Sequence, residues 1–235
     1  MTSKKVAAFF DLDRTLIAVN SGYLYAKHER KNKRITAQQF WISALYIVLY
    51  HFSLVDIEAA YRKAALYYTG VPEEDLRQRT HDWFRENIQH LLLPGAKVAL
   101  EAHREAGHPL VLLTSSSEYV SEIVTESWDL DAWLANHFET DEEGRMTGGV
   151  NSPLCYGDGK VVFAEQWAEE NGVDLDASYF YSDSYSDRPM LDRVGHPRVV
   201  QPDPRLARYA RQMNWSVHDW SGTDNAVILD TSANS

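Results

Sequence analysis

The chain has a single cysteine, Cys155, among 235 residues, which excludes an internal disulfide and any multi-cysteine metal site. Basic charge is scarce as well: 23 Lys and Arg against 34 Asp and Glu give a formal net charge of -11. Binding to nucleic acid needs a basic face, so a nucleic-acid partner is not expected, whereas a small anionic substrate needs only one local cation. Long apolar runs are missing too. Residues 40–55 (FWISALYIVLYHFSLV) contain no Lys, Arg, Asp or Glu, but a membrane-spanning helix needs roughly 20 apolar residues, and His51 and Ser53 interrupt the run. At the N-terminus, Ser3-Lys4-Lys5 leads into an apolar stretch that stops at Asp11, too short for a signal peptide. These absences point to the cytoplasm. The 44% hydrophobic content suffices for one good core and a smaller second one.

The stretch on which the chain is organised is VAAFFDLDRT, residues 6–15. A continuous apolar run of this length reads as a strand buried on both faces, as in a parallel sheet. Asp11 and Asp13 then lie at its C-terminal end, on one face unless the chain turns between them. Two carboxylates at an apolar edge repel each other, unless one holds a proton or a cation lies between them. The end of a strand is also where open α/β sheets bind ligands. A helix cap followed by a turn would account for the same two aspartates.

Helical signals follow for about 75 residues, more than one crossover needs. They comprise a helix over 21–32, a second opened by the capping box Thr36/Gln39, and a third over 56–69 stopped by Gly70. Pro72 and the acidic Glu73, Glu74 and Asp75 open a fourth. The sheet pattern then returns. A helix over 96–106 closes at Gly107, and the strand Pro109-Leu-Val-Leu-Leu runs into Thr114-Ser115-Ser116-Ser117. Ser115 with Glu118 reads as a capping box, which would put the hydroxyls at a helix N-terminus suited to an anion. Residues 132–156 are strand-like, with a hairpin turn at 141–144 and a break at Gly148-Gly149. Gly157-Asp-Gly-Lys160 opens a helix that ends at Gly172, and Lys160 in its first turn opposes the helix dipole. Strand 178–182 leads to Asp183 and, four residues on, Asp187, which a helical turn would bring together. Asp187 as an N-cap competes with that reading. Arg198-Val-Val gives a strand, Asp203-Pro204 starts a helix to Asn214, and 215–217 form the last strand. A poorly ordered tail is expected from residue 221.

Asp11/Asp13/Thr15, Thr114/Ser115, Lys160 and Asp183/Asp187 occur in the order of the four motifs of the haloacid dehalogenase superfamily. The helical insert after the first motif resembles the cap of its phosphoserine phosphatase-like branch. The resemblance, over about residues 5–218, implies a Rossmann-like core with a central parallel sheet flanked by helices (1–17 and 92–220), a helical cap (18–91) and a tail (221–235). It implies a phosphomonoesterase acting on a small phosphorylated metabolite, with Asp11 as nucleophile, Asp13 as general acid and base, and Lys160 stabilising charge. Thr15, Thr114, Ser115 and Lys160 would bind phosphate. Mg2+ would be held by Asp11, Asp183 and the Asp13 backbone carbonyl, with Asp187 behind them. Where phosphoserine phosphatases carry a glutamate for the substrate's amino group, this chain has Asn20-Ser21. Histidinol phosphate, or a lipid phosphate met through residues 40–55, is the alternative substrate. Tyr23, Tyr25, His28, Trp41, Tyr46 and His51 are candidate cap-lining residues, although aromatics at helical spacing also read as core. A metal-dependent nucleotide-sugar transferase and an inactive scaffold are the competing classes, and the subunit is expected to be a monomer or a homodimer.

Overall fold

The computed structural model describes residues 4–51 and 57–222. Strand β1 (Ala8–Phe10) is followed by helices α1 (Ser21–Lys31), α2 (Ala37–His51), α3 (Ile57–Ala65) and α4 (Glu73–Asn87). The expected helix start at Asp56, the end of the apolar run and the tail from residue 223 onward lie outside the described residues. Helix α5 (Pro94–Glu105) leads to strand β2 (Leu110–Ser117), helix α6 (Glu118–Trp128) and strand β3 (Ala132–Asn136). A hairpin of β4 (Phe138–Thr140) and β5 (Met146–Val150) precedes α7 (Asp158–Asn171), β6 (Tyr179–Ser182), α8 (Arg188–Arg193), β7 (His196–Val200), α9 (Pro204–Met213) and β8 (Ser216–His218). Six strands form one parallel sheet in the order β3-β2-β1-β6-β7-β8.

The apolar run of β1 builds both faces of this sheet. Ala8 and Phe10 point into a core with Trp83 and Phe84 of α4, Ala96 and Leu100 of α5 and Ile123 of α6. Ala7 and Phe9 point into a second core with Ala164 of α7, Met190 and Leu191 of α8 and Leu206 of α9. An alternating strand that is apolar on both faces can be satisfied only in this way. The Thr36/Gln39 box forms reciprocally, Gln39 accepting from the Thr36 amide at 2.7 Å and Thr36 from the Gln39 amide at 3.2 Å. Gly148 and Gly149 lie inside β5, where the ladder with β4 loses register: Phe138 pairs with Val150 but Thr140 with Met146, so four steps along β5 answer two along β4. On α2, Trp41 and Leu45 are 69% and 56% exposed. No helix among the described residues is long and apolar enough to cross a membrane.

At the end of the sheet opposite Asp11, His103 is fully buried. Its ring nitrogens lie 2.9 Å from the Tyr181 hydroxyl and 2.9 Å from His108 Nδ1. His108, His196 and Arg198 crowd it with positive charge, and Tyr179 packs on its ring. Burial first, and then those neighbours, push its pKa down to about 3. The unfolded chain holds a histidine of ordinary pKa near 6.5 and takes up a proton that the native state refuses, so stability falls as pH drops below that value. Between pH 8 and pH 5, denaturant unfolding should report a loss of about 2 kcal/mol from this residue, and His103→Leu should flatten the profile. Equal pH slopes in the two proteins would contradict this.

Candidate active site

Sheet register decides what meets at the C-terminal edge. Phe10 of β1 is level with Leu112 of β2 and Tyr181 of β6, so Asp11, Thr114 and Asp183 emerge within two residues of the same line. The strand order also reverses beside β1, stepping one way to β3 and the other from β6. The crevice at such a switch point is the usual ligand site of an open sheet.

Lys160 Nζ donates to Asp11 Oδ1 at 2.7 Å and to Asp187 Oδ2 at 2.8 Å. The ammonium is 1% exposed, and it spends two of its three hydrogens on these carboxylates. The Ser182 hydroxyl adds a donor to Asp187 Oδ2 at 2.7 Å. Asp187 occupies the N-cap position of α8, yet its side chain makes no capping bond; it serves Lys160 instead. The first turn of α7 is brought close by Gly159, where a Cβ would run into the Leu154 carbonyl. Burial works against the Lys160 charge, but Asp11 and Asp187 hold its pKa above the ordinary value.

After β1 the chain turns at buried Leu12, and Arg14 adopts a left-handed φ of 62°. That turn aims Asp13 at the start of α1, where Asp13 Oδ1 accepts from the Ser21 amide at 2.8 Å. Burial pushes the Asp11 carboxyl up to about 7 against the opposing pull of Lys160. Burial also raises Asp13. Asp183 is 5% exposed, and burial, with Asp11 and Asp187 nearby, holds its carboxyl well above the ordinary range. Among the described residues its carboxylate has no hydrogen-bond or ion-pair partner. Its backbone carbonyl accepts from the Asp203 amide at 2.8 Å, and Asp203 also takes the Tyr185 amide at 2.7 Å, which fixes the loop after β6.

The hydroxyl cluster departs from the expected capping box. Strand β2 continues through Ser117, and the cap of α6 is Ser117, whose hydroxyl accepts from the Val120 amide at 3.4 Å. Glu118 instead accepts from the Phe138 amide at 2.9 Å and pairs with His137. Against β3, Leu113 pairs with Leu134 but Ser117 with Asn136. Four steps along β2 thus answer two along β3, and this bulge throws Thr114 and Ser115 out of the ladder. Bulges commonly re-aim side chains beside active sites.

A cavity of about 540 Å3 joins Asp11, Asp13, Asp183, Thr114 and Ser115 to Asn20, Tyr25, Tyr61, Tyr68 and Phe138. Two expected phosphate contacts are not on its wall: Lys160 lies behind Asp11, and Thr15 is fully buried with its Oγ1 unpartnered. Thr15 is turned inward because its amide, like those of Leu16 and Ile17, bonds back to the Leu12 carbonyl. Of the cap-lining candidates, Tyr25 reaches the cavity, whereas Tyr23 and Trp41 are exposed. The Tyr46 and His51 side chains lie outside the described residues. Sequence reasoning missed Ser182, Arg14 and Asn136; the one signal for Asn136 was a polar residue ending an otherwise apolar strand.

The donor set suits a hard cation. Asp183 beside Asp11 offers carboxylate oxygens only, and no three His, Cys, Asp or Glu side chains among the described residues form a group that could hold a metal ion by themselves. One or two carboxylates, with water completing the shell, is the usual provision for magnesium.

The family described as haloacid dehalogenase-like hydrolase matches residues 8–192. The chain belongs to that family. It is 27% identical over 217 residues to a histidinol-phosphatase of Neisseria meningitidis, covering 91% of this chain and 98% of the relative. A Bordetella pertussis crystal structure of unknown function superposes with a TM-score of 0.82 at 26% identity, covering 92% of this chain and 98% of that one. A substrate-bound phosphoserine phosphatase shares the fold, with a TM-score of 0.68 at 17% identity and coverage of 94% and 95%.

Removing the Lys160 charge leaves Asp11 and Asp187 buried without a counter-ion. In chelator at pH 8, Lys160→Met should lower unfolding stability by about 3–5 kcal/mol, and most of the loss should be recovered as pH falls and the carboxylates protonate. A loss that does not change with pH would count against this charge balance.

Proposed function

We propose that the chain is a magnesium-dependent phosphomonoesterase that hydrolyses a small phosphorylated metabolite through an acyl phosphate on Asp11. The observation that carries this is the Asp11 carboxylate at the end of β1, anchored by Lys160 at 2.7 Å and facing a cavity shared with Asp13 and Asp183. Magnesium would be held by the Asp11 and Asp183 carboxylates and the Asp13 backbone carbonyl. When bound, it would neutralise charge between phosphate and carboxylates.

The Asp11 oxygen not bonded to Lys160 attacks phosphorus, the bond to the leaving oxygen breaks, and that oxygen takes the proton of the Asp13 carboxyl. Burial favours a protonated Asp13 at this moment. Water then attacks the phosphoryl group, Asp13 accepts its proton, and the Asp11–phosphorus bond breaks to release phosphate. Thr114 and the Ser115 amide receive the phosphoryl oxygens, and Lys160, off the cavity wall, holds Asp11 in line and offsets its charge. Residues 18–91 act as the cap, and the protein works in the cytosol on a small phosphorylated metabolite, as a monomer or a homodimer.

Phosphoserine is disfavoured, because the Asn20 carbonyl is committed to capping α1 through the Tyr23 amide at 2.8 Å and supplies no charge for an ammonium group. The tyrosine-lined cavity leaves room for a ring, so histidinol phosphate heads the panel, followed by sugar phosphates, phosphocholine and lysophosphatidate. Phosphate release should require magnesium, stop in chelator, and fall at least a thousandfold in Asp11→Asn, on the order of other nucleophile removals. Release that survives either change would overturn the proposal.

A further inference from the structure

The bulge in β2 takes the Ser115 carbonyl out of the ladder, and the Asn136 side chain takes it up. Asn136, 2% exposed at the end of β3, donates from Nδ2 to the Ser115 carbonyl at 2.8 Å. Its Oδ1 accepts from the Cys155 amide at 2.7 Å. Ser115 is the apex of the hydroxyl bulge, and Cys155 lies on the segment that leads, five residues later, to Lys160 in the first turn of α7. The amide therefore bridges two loops that belong to different parts of the chain. One loop carries the groups that the proposed function directs at the phosphoryl oxygens, and the other leads to the lysine that holds Asp11.

We propose that Asn136 is a positioning residue, a clamp that sets the distance between the Thr114–Ser115 bulge and the Lys160 end of α7. The role follows from amide chemistry. Serving a carbonyl and an N–H at once needs a donor and an acceptor on one short planar group. Aspartate at this position keeps the acceptor but loses the donor. Leucine loses both and leaves two buried backbone groups unsatisfied. The Tyr61 hydroxyl of α3 lies against the same amide, and Tyr61 and Asn136 both line the cavity. A helix from the segment between β1 and α5 therefore touches the clamp directly. A shift of the Thr114–Ser115 bulge relative to Asp11 and its lysine misplaces the reacting groups and costs rate, so the clamp matters to turnover without touching the substrate.

The inference rests on the phosphatase reading, and its test separates the two. Binding of inorganic phosphate is measured by calorimetry in magnesium buffer for the wild type, Asn136→Asp and Asn136→Leu, alongside kcat and KM for p-nitrophenyl phosphate and histidinol phosphate, all normalised to the folded fraction. Phosphate should bind roughly tenfold more weakly to Asn136→Leu, with Asn136→Asp in between, and kcat/KM should drop by the same factor for both esters because the defect lies on the phosphoryl side. Should Asn136→Leu not fold, Asn136→Asp, of nearly identical shape, carries the comparison alone. Unchanged phosphate affinity and kcat/KM per folded molecule would reduce Asn136 to a structural residue. A wild type that binds no phosphate and hydrolyses neither ester would overturn the phosphatase reading itself.

Discussion

One ammonium group holds the site together. Asp11, Asp13, Asp183 and Asp187 crowd the C-terminal edge of a sheet whose interior is apolar on both faces, and Lys160 bonds two of them at 2.7 and 2.8 Å. Without that charge the carboxylates would have to protonate or separate. Much of the local architecture follows from bringing Lys160 to them. Gly159 lets the first turn of α7 pass close to the Leu154 carbonyl, Ser182 supplies a further bond to Asp187, and β6 pairs with β1 in the register that sets Asp183 beside Asp11. The lysine sits where a helix dipole disfavours it, and the carboxylate pair more than offsets that cost.

The charge balance is incomplete, and the gap has chemical meaning. Lys160 satisfies Asp11 and Asp187, while Asp13 leans on the Ser21 amide. Among the described residues the Asp183 carboxylate has no hydrogen-bond or ion-pair partner, and its carboxyl is held well above the ordinary range. Strand β1, which carries Asp11, is packed between two cores. A divalent cation between Asp183 and Asp11 would resolve the imbalance.

Local signals made the frame legible in the sequence. The apolar run before Asp11, the Thr36/Gln39 box, the glycine stops at Gly107 and Gly172 and the cap at Asp203 each depend on neighbours in the chain, and each forms. Lys160 was conspicuous because it broke a local rule. The features that escaped depend on pairing between distant segments. Whether Ser115 or Ser117 caps α6 turns on how β2 registers against β3, and Glu118, which fits a capping box by spacing, is drawn off by Phe138 and His137. Thr15 keeps the motif spacing yet faces inward, because the turn at Leu12 rotates it away from the cavity. Asn136 escaped because neither of its partners is near it in sequence.

The most direct measurement is an acid quench of the magnesium-loaded enzyme during turnover of a radiolabelled phosphate ester, followed by peptide mapping. The label should appear on the peptide containing Asp11, be released by mild alkali as an acyl phosphate is, and be absent from Asp11→Asn. Full turnover with no label on the protein, or with label on another residue, would show that Asp11 is not the nucleophile around which this site is built.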